Sequence, residues 1–414
     1  MTMAKITRPK RKNPILRSRI PTLPPDRRSR TALGLVRAAA LGRFELQHCL
    51  ECGAVQYPPR DACAACLSDR LEWRETDPNG DLLADTVVHH SQELYFRERA
   101  PWRTGLVRLD AGATVVVHLP DDAPRAPARV MLSAMLDRAG QAVLVARGAG
   151  ASTPADDPKL RELTADPRFR KCLVTDAKSP VGQAMVKALV EAGADIVWAG
   201  QCEPWKDPPG WAATRALPGV TEVPLDVTDS RSVDELAGEI GFKVDIVVNT
   251  AGYHRIHSLF GRAGVETAQA EMEVNAFGLL RLAKAFGPVL RARGADGQSS
   301  AVAWVNLLSI FAIANFPEEA TYSASMAAGL SYAQALRAEL RRGGVRVVNV
   351  FPGPIDDEWN QQVLPPKLAP AAVANAILGA LRGSVEDVYP GDVAQEWLAR
   401  LRDNPKALER ELGR

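Results

Sequence analysis

Three features that the sequence lacks narrow its fold and its location. It contains no apolar run of about 18 residues, which excludes a membrane-spanning helix. Its six cysteines in 414 residues are too few for a disulfide-stapled scaffold. Its first residues carry no apolar signal segment, so we expect a cytoplasmic protein. The length exceeds that of one ordinary domain and predicts two or three.

The small net charge of +2 conceals a strongly basic segment at the start of the chain. Residues 1–30 carry ten Lys/Arg, one acid and five prolines, so the other 384 residues have a net charge of −7. A basic stretch broken by prolines does not form a packed element of its own. It is either an arm that lies on an acidic partner subunit or nucleic acid, or a solvated tail.

Four of the six cysteines follow the spacing of a zinc ribbon. Cys49, Cys52, Cys63 and Cys66 form the pattern C-x2-C-x10-C-x2-C. Each pair predicts a knuckle that presents two thiolates, and two knuckles complete the tetrahedral sulfur shell that zinc prefers. Gly53 follows the first pair, where the turn favours a residue that tolerates positive φ. Because cysteine fills all four positions, the predicted zinc is structural.

Short alternating segments follow the ribbon and are separated by turn signals, such as DPNG at 77–80 and DRAG at 137–140. Five strands at this spacing predict a small closed β-barrel of the OB-fold type. The predicted strands cover residues 82–88, 104–109, 114–119, 129–136 and 142–147.

Residues 30–148 resemble the acyl-CoA-associated OB-fold family that carries an N-terminal rubredoxin-like zinc ribbon. Besides the cysteines, the likeness rests on a predicted amphipathic helix at 31–41, FELQHCLECG at 44–53, YPPR at 57–60 and LEW at 71–73. Members of that family usually act as accessory subunits of thiolases and related acyl-CoA enzymes and carry no catalytic residues. The resemblance therefore implies a thiolase-like partner, with an acyl-CoA substrate at the shared interface.

An OB barrel with a basic arm also fits a nucleic-acid-binding protein. A groove for a single strand needs a positive track interleaved with stacking aromatic residues. Residues 71–148 instead contain eleven acids and nine Lys/Arg. The net negative charge of the barrel therefore argues against nucleic-acid binding by the barrel. Only the basic arm remains as a candidate nucleic-acid-binding segment.

Beyond a Gly/Ala/Pro/Asp-rich stretch at 148–158, strand patterns alternate with helix patterns. This alternation predicts an α/β domain with a doubly wound parallel sheet of the Rossmann type. The predicted chain is thus multidomain. Its parts are a basic Pro-rich arm at 1–30, a lead-in helix and zinc ribbon at 31–70, an OB-fold barrel at 71–148, a linker at 149–170 and a Rossmann domain at 171–414.

Residues 171–414 resemble a classical short-chain dehydrogenase/reductase. The matching motifs include LDVTD at 225–229, NTAG at 249–252 and YSASM at 322–326. The resemblance places Asn275, Ser309 and Tyr322 at the family's catalytic positions, with Ser309 thirteen residues before Tyr322. The positions that it implies for the cofactor are Thr175, Gly182, Asp226, Val227, Asn249, Ala251, Gly252, Pro352 and Gly353.

The catalytic motif departs from the family at its last position, where Met326 replaces lysine. A free tyrosine has a pKa near 10, and the neighbouring ammonium of the family lowers it and holds the ribose hydroxyls. Loss of a positioned acid/base assembly costs about 10²–10⁴ in rate. The sequence offers no lysine on the same helix face, so the catalytic residues are predicted to be vestigial.

The phosphate-binding loop, TDAKSPVG at 175–182, departs at two glycine positions. Asp176 places a carboxylate beside the pyrophosphate; at about 5 Å and an effective dielectric near 20 this costs about 3 kcal/mol, roughly a hundredfold in affinity. Lys178 offsets part of this repulsion. Pro180 removes a backbone N–H, so that only Gly182 of the three glycines remains. Weak or absent NAD(P) binding is predicted.

Two histidines and one cysteine near these motifs have open roles. His254 and His257 follow the NTAG turn, where they are either solvated loop residues or acid/base groups near the substrate. Cys172 lies in the first predicted Rossmann strand and is expected to pack in the core.

Three functions remain for the chain. The first is a non-catalytic accessory subunit of a thiolase-like complex of the β-oxidation type, whose Rossmann domain forms homo- or hetero-oligomers through helices at 266–292 and 321–342. Its resemblance to anaerobic aromatic β-oxidation points to a substrate such as benzoylsuccinyl-CoA. The second is an NAD(P)-dependent 3-hydroxyacyl-CoA dehydrogenase or ketoreductase, which needs a substitute for the missing lysine. The third is a nucleic-acid-binding protein.

Overall fold

The computed structural model describes residues 22–150, 153–294 and 301–413. Most of the predicted basic arm, residues 1–21, lies outside the described residues. The chain divides into two compact units. The first ends at Asp166 and also includes Arg382–Val385, and the second comprises Pro167–Leu381 and Glu386–Arg414. The division falls close to the predicted start of the Rossmann domain at 171.

The first unit begins with a short helix and a three-stranded antiparallel sheet. Helix α1 is Leu33–Ala40, and strand β1, Glu45–Cys49, pairs with β2, Val55–Gln56, and with β3, Leu71–Glu75. The helix lies directly on β3, because a Cβ at Gly34 would overlap the Trp73 ring. The sequence analysis placed this helix correctly, at 31–41.

A closed five-stranded barrel follows, as the turn spacing predicted. Its strands pair in the order β4-β5-β6-β8-β7, and β4 also pairs with β7. The core is formed by alternating inward residues such as Val107, Val115 and Leu132. A short helix, α2, Leu94–Arg99, connects β4 to β5. The barrel strands are β4, Asn79–Val88; β5, Trp102–Leu109; β6, Thr114–His118; β7, Ala128–Leu136; and β8, Ala142–Arg147.

Part of the predicted linker at 149–170 is packed against the barrel rather than free in solvent. A 3₁₀ turn at Leu160–Leu163 buries both of its leucines beside Trp102 and Met135. The low-periodicity composition of this stretch gave no sign of that packing, because two apolar residues three positions apart are too few to reveal a face.

The second unit is built on a seven-stranded parallel sheet in the order β11-β10-β9-β12-β13-β14-β15. Its central strands are buried on both faces, as expected for a sheet covered by helices. Cys172 is fully buried in β9, which confirms its predicted role in the core. The strands are β9, Lys171–Val174; β10, Ile196–Gln201; β11, Val220–Pro224; β12, Ile246–Asn249; β13, Ala303–Leu307; β14, Arg346–Val350; and β15, Asp387–Val388.

Nine helices accompany the sheet in the described part of this unit. The helix predicted at 266–292 is divided by a π-helical segment, Glu273–Gly278. Among the described residues, no helix is both long and apolar enough to cross a bilayer. The helices are α3, Pro180–Glu191; α4, Trp211–Arg215; α5, Ser230–Ile240; α6, Glu266–Met272; α7, Leu279–Arg293; α8, Ala320–Arg341; α9, Pro370–Gly383; α10, Asp392–Asp403; and α11, Pro405–Leu412, the last of which ends one residue before Gly413.

Candidate zinc centre and dehydrogenase-like cleft

The four ribbon cysteines converge on one point. Their sulfur atoms all lie within 4.8 Å of one another, and the Cys49–Cys66 and Cys52–Cys63 sulfur pairs are each 3.6 Å apart. Four thiolates at 2.3 Å from a tetrahedral zinc ion lie about 3.8 Å apart, so this donor set fits zinc. No position is left for a substrate, and the site is therefore structural.

The two zinc knuckles have the same backbone geometry but different residues at the turn. Gly53 has φ 73°, as predicted from its position, and its N–H donates to the Cys49 carbonyl. Leu67 occupies the equivalent place after Cys66, with φ 62° and an N–H that donates to the Cys63 carbonyl. Backbone amides of Cys66 and Ala65 direct hydrogen bonds at the Cys63 sulfur and lower the pKa of that thiol to about 6. A thiolate is the form that binds zinc.

A cavity of about 700 Å³ opens at the carboxyl ends of the parallel strands in the second unit. This volume lies within the range of small-molecule sites, and this edge of an α/β sheet is where such sites form. Twelve of the predicted positions line the cavity, whereas Gly182, Asn249 and Asn275 do not. The lining positions are Thr175, Asp176, Pro180, Asp226, Val227, Ala251, Gly252, Ser309, Tyr322, Met326, Pro352 and Gly353.

The loop after β9 holds its shape through its own hydrogen bonds. The Thr175 hydroxyl donates to the Asn249 side-chain oxygen at 2.8 Å and accepts from the backbone N–H groups of Thr250 and Ala251. A Cβ at Gly182 would overlap the carbonyl oxygen of Asp176. Helix α3 therefore needs glycine at this position for its approach to the loop, whether or not a dinucleotide binds.

Asp176 and Pro180 leave the phosphate end of the cleft poor in donors. Ser179 caps α3 by accepting from the Gly182 N–H at 3.1 Å, and Pro180 supplies no N–H. Burial raises the pKa of Asp176 to about 6, so its carboxyl group is still mostly ionised at neutral pH. The Lys178 ammonium donates to the carbonyls of Glu203 and Lys206, while the Lys178 backbone N–H and the charge of Lys206 lower the pKa of Asp176.

The Asp226 carboxylate also forms its hydrogen bonds within the protein. Its carboxylate accepts from the backbone N–H and the hydroxyl of Thr228, at 2.8 and 2.7 Å, and its own N–H donates to the Ser232 hydroxyl. These bonds fix the turn after β11 at the edge of the cavity. Together with Asp176 and Glu203, Asp226 raises the pKa of the nearby Cys202 thiol, for which burial is the largest cause. Three carboxylates and the two lysines Lys178 and Lys206 thus line this end of the cavity.

Tyr322 lies in surroundings that keep its phenol protonated. Burial raises its pKa well above the ordinary value, and the carboxylates of Glu319, Asp357 and Glu271 raise it further. The Ser309 side chain is hydrogen-bonded to Tyr322 and acts in the opposite direction. The charged groups with the largest influence on this phenol are carboxylates, which is the reverse of what proton abstraction by a tyrosine requires.

Met326, one helical turn after Tyr322, is 4% exposed. Its side chain packs with Leu308 and Phe351 in an apolar cluster that Tyr389 also joins. The structure therefore places a hydrocarbon contact where the catalytic lysine of an active enzyme would place its charge.

His254 is buried rather than solvated, and it contacts Tyr322 directly. The two rings stack with their centroids 3.9 Å apart and their planes 25° from parallel. Its Nε2 atom lies 2.7 Å from the Glu319 carboxylate, which is 1% exposed. His257, in contrast, contacts the Thr321 hydroxyl at 3.1 Å and remains partly exposed. Only the first of the two predicted histidines joins the reacting groups of the cleft.

Three family models match the chain. The rubredoxin-like zinc ribbon domain of ChsH2 matches residues 37–72, and its C-terminal OB-fold domain matches residues 73–133. The short chain dehydrogenase model matches residues 170–367.

Similar proteins of known sequence support the match to the short chain dehydrogenase model. An uncharacterized oxidoreductase of Staphylococcus aureus is 33% identical over 216 residues, which are 50% of this chain and 89% of that protein. The chain belongs to the short chain dehydrogenase family. Its relatives match the second unit, so the ribbon and the barrel are additions that ChsH2 shares. An uncharacterized oxidoreductase of Staphylococcus haemolyticus is 31% identical and covers 51% of this chain and 90% of its own.

Two crystal structures of short chain dehydrogenases are similar to this chain. One, from Burkholderia cenocepacia in complex with NADP, is 36% identical with a TM-score of 0.54 and covers 60% of this chain and 98% of its own. The other, from Streptomyces avermitilis, is 25% identical with a TM-score of 0.50 and covers 58% and 96%. The family fold is thus present throughout the second unit.

In this short chain dehydrogenase, Asn275 lies in the π-helical segment and holds two parts of the cleft together. Its amide nitrogen donates to the Tyr253 carbonyl and to the Ser325 hydroxyl, both at 2.8 Å, and its oxygen accepts from the Tyr253 N–H. Both amide hydrogens are therefore used within the protein. The side chain supports the shape of the cleft rather than presenting a donor to a ligand.

Sequence reasoning missed two functional groups of the cleft. Glu319 and Arg255 match no motif of the family. Glu319 lies three residues before Tyr322 at the start of α8, where that short spacing was the only available signal. The Arg255 guanidinium lies 4.4 Å from the centre of the Tyr253 ring and 4.3 Å from that of Trp359. Such a contact between two distant loops leaves no local pattern in the sequence.

Proposed function

We propose that this chain is an accessory and scaffolding subunit of a thiolase-like acyl-CoA enzyme complex, in which its dehydrogenase domain performs no hydride transfer. The observation that carries the proposal is Met326, whose buried side chain replaces the lysine while the carboxylates of Glu319, Asp357 and Glu271 raise the pKa of Tyr322. With its pKa raised, the phenol is held in its neutral form, and it does not act as the base that alcohol oxidation requires.

The zinc ribbon and the barrel support the acyl-CoA part of the proposal. Both match domains of ChsH2, and the resemblance seen in the sequence implies that such domains accompany thiolases. In this proposal the first unit contacts the thiolase-like chain and an acyl-CoA substrate of the β-oxidation type. Aromatic acyl-CoA thioesters such as benzoylsuccinyl-CoA belong to this class. The dehydrogenase domain would associate with a second subunit through its long helices, in a reducing cytoplasm.

A second candidate is an NAD(P)-dependent 3-hydroxyacyl-CoA dehydrogenase or ketoreductase. It is favoured by the cavity of about 700 Å³, which is lined by Ser309 and Tyr322, and by the relative that was crystallised with NADP. Against it stand the carboxylate of Asp176 in the phosphate loop and the carboxylates of Glu319, Asp357 and Glu271, which raise the pKa of Tyr322.

Two measurements on the full-length protein separate these candidates. NADH and NADPH are titrated against its tryptophan fluorescence, and a thiolase-like chain encoded by a neighbouring gene is co-expressed and tested for co-purification. The accessory role predicts co-purification and no dinucleotide binding up to about 1 mM. Binding at micromolar concentration together with acetoacetyl-CoA reduction would establish the dehydrogenase instead. Failure of the thiolase-like chain to co-purify would refute the partnership.

A further inference from the structure

His254 and Glu319 form a pair that neither the family motif nor the accessory role uses. The pair is buried, with His254 at 6% and Glu319 at 1% exposure, and its atoms are 2.7 Å apart. His254 lines the cavity, and Glu319 contacts this histidine from the start of α8. A histidine oriented by a carboxylate and placed against a ligand cavity is the arrangement that general bases take in many unrelated enzymes.

The Glu319 contact assigns the protonation of the ring. A carboxylate accepts hydrogen bonds, so Nε2 of His254 carries the hydrogen and Nδ1 keeps its lone pair. Nδ1 has no hydrogen-bond partner among the described residues, and it is the ring atom left to receive a proton. Once the ring is protonated, Glu319 lies next to the positive charge and stabilises it.

Tyr322 supplies the complementary donor. The Ser309 hydroxyl is hydrogen-bonded to Tyr322, and the high pKa of the phenol keeps its own hydrogen available to a ligand. A carbonyl oxygen that develops negative charge is stabilised by such a neutral donor. The electrostatics that prevent Tyr322 from acting as a base therefore suit it to donate.

We propose that His254, positioned by Glu319, is a catalytic base that removes and returns a proton at the carbon next to the carbonyl of an acyl thioester bound in the cleft. The choice of an acyl thioester rests on the proposed function, whereas the proton transfer rests on the geometry of the cleft. The inference concerns an activity without redox change, and it is compatible with the loss of hydride transfer.

The reaction balances without a cofactor. The C–H bond breaks, its proton passes to Nδ1 of His254, and its electron pair forms the carbon–carbon double bond of an enolate. The carbonyl π electrons move to the oxygen, which accepts a hydrogen bond from Tyr322. Return of a proton from the imidazolium restores the thioester, so the net result in heavy water is the exchange of hydrogen for deuterium.

The test follows deuterium incorporation into butanoyl-CoA by mass spectrometry, with the full-length protein in D₂O. We expect the wild-type protein to exchange one of the two hydrogens next to the thioester well above the buffer rate, because a single base serves one face of the enolate. His254→Gln should reduce the exchange at least about a hundredfold. His257→Gln is the matched control, because this histidine is outside the pair, and it should exchange at the wild-type rate.

Glu319→Gln tests the positioning role separately. It keeps a hydrogen-bonding side chain of the same size but cannot offset the imidazolium charge, so kcat for exchange should fall while KM for butanoyl-CoA stays unchanged. A merely structural role would alter both constants and lower the melting temperature. Wild-type exchange at the buffer rate, or undiminished exchange by His254→Gln, would overturn the inference.

The outcomes also separate this inference from the accessory role. Exchange is measured on this chain alone, and the thiolase partnership is measured by co-purification. Co-purification without exchange refutes only the proton transfer. Exchange without co-purification supports the proton transfer and refutes only the partnership.

Discussion

The zinc ribbon has all of its metal ligands, whereas the dehydrogenase cleft has the fold of its family but not all of the family's motif residues. In the ribbon, all four sulfur atoms lie at distances that suit one metal ion. In the cleft, the strands and the cavity are intact, but Met326 and Asp176 replace the lysine and a glycine of the family. A metal shell is needed for folding itself, whereas catalytic groups are not. The ribbon thus has a complete ligand set, whereas the cleft has the shape of the family with two of its motif residues replaced.

Loss of one ribbon sulfur is expected to have the largest effect of any single change. Cys63→Ser leaves three thiolates, and structural zinc contributes about 10–16 kcal/mol to the folding of small zinc domains. The variant should bind no zinc after gel filtration and should lose the folded ribbon, as measured by elemental analysis and by limited proteolysis.

Cys202→Ser is the control for this variant, because Cys202 is an exposed cysteine in the second unit. It should retain one zinc per chain. A Cys63→Ser protein that also retains one zinc per chain would contradict the assigned ligand set.

The next largest loss of stability is expected from breaking a buried ion pair in the barrel. Arg103 and Asp85 are 3.0 Å apart with side chains 5% and 7% exposed. Asp85→Ala leaves the Arg103 charge buried without its partner and should destabilise the first unit by about 3–5 kcal/mol. Asp81→Ala removes an exposed partner of Arg129, and its effect should stay below about 1 kcal/mol. Thermal unfolding of both variants measures the difference, and equal effects would refute the role of burial.

The Asp85 pair also predicts a pH dependence. Hydrogen bonds from Ala126 and Arg103 lower the pKa of Asp85 to about 2, below its value in the unfolded chain. Its contribution to stability is therefore complete above about pH 4 and is lost as the pH falls towards 2. Asp85→Asn should flatten the melting temperature of the first unit across this range.

Removal of the carboxylate from the phosphate loop should improve dinucleotide binding. Asp176→Gly relieves a repulsion of about 3 kcal/mol, so NADPH affinity should rise roughly a hundredfold. Because the pKa of Asp176 is about 6, NADPH should also bind the wild-type protein more tightly as the pH falls through 6, and this trend should vanish in the variant. Fluorescence titration from pH 5 to 8 measures both effects. An unchanged affinity would show that Pro180 alone limits binding.

The smallest expected effect compares the two knuckles of the ribbon. Leu67 has φ 62°, a region that costs a residue with a side chain about 1–2 kcal/mol, and its side chain is 81% exposed. Leu67→Gly should therefore stabilise the zinc-bound ribbon by about 1 kcal/mol in chemical denaturation. Gly53→Leu should destabilise it by a similar amount. The same sign for both variants would contradict the equivalence of the two turns.

The sequence was sufficient to predict both architectures because each has a strong local signal. The paired C-x2-C motifs predicted the ribbon, and the five barrel strands lie within a few residues of their predicted positions. Strand β15, at one edge of the parallel sheet, has no comparable local signal. A two-residue strand such as Asp387–Val388 shows no periodicity, because its position is fixed by its neighbour rather than by its own residues.

The cleft was harder to predict than the fold. Motif spacing correctly indicated that Ser309 and Tyr322 lie together, but it gave no information on Glu319 or on the burial of His254. The loop that carries His254 and the start of α8 meet only through tertiary packing. Local composition predicts an exposed histidine in such a loop. It carries no information on a contact with Glu319, which lies 65 residues further along the chain.

The tight approach of Gly182 to the loop carbonyl has a consequence for how genomes are interpreted. A glycine that the backbone itself demands will persist in lineages that abandoned the coenzyme long ago. Sequence searches that give weight to this glycine will therefore classify such proteins as oxidoreductases. Position 176, where the loop accepts an aspartate without any such backbone constraint, is the more informative position for recognising an altered phosphate site.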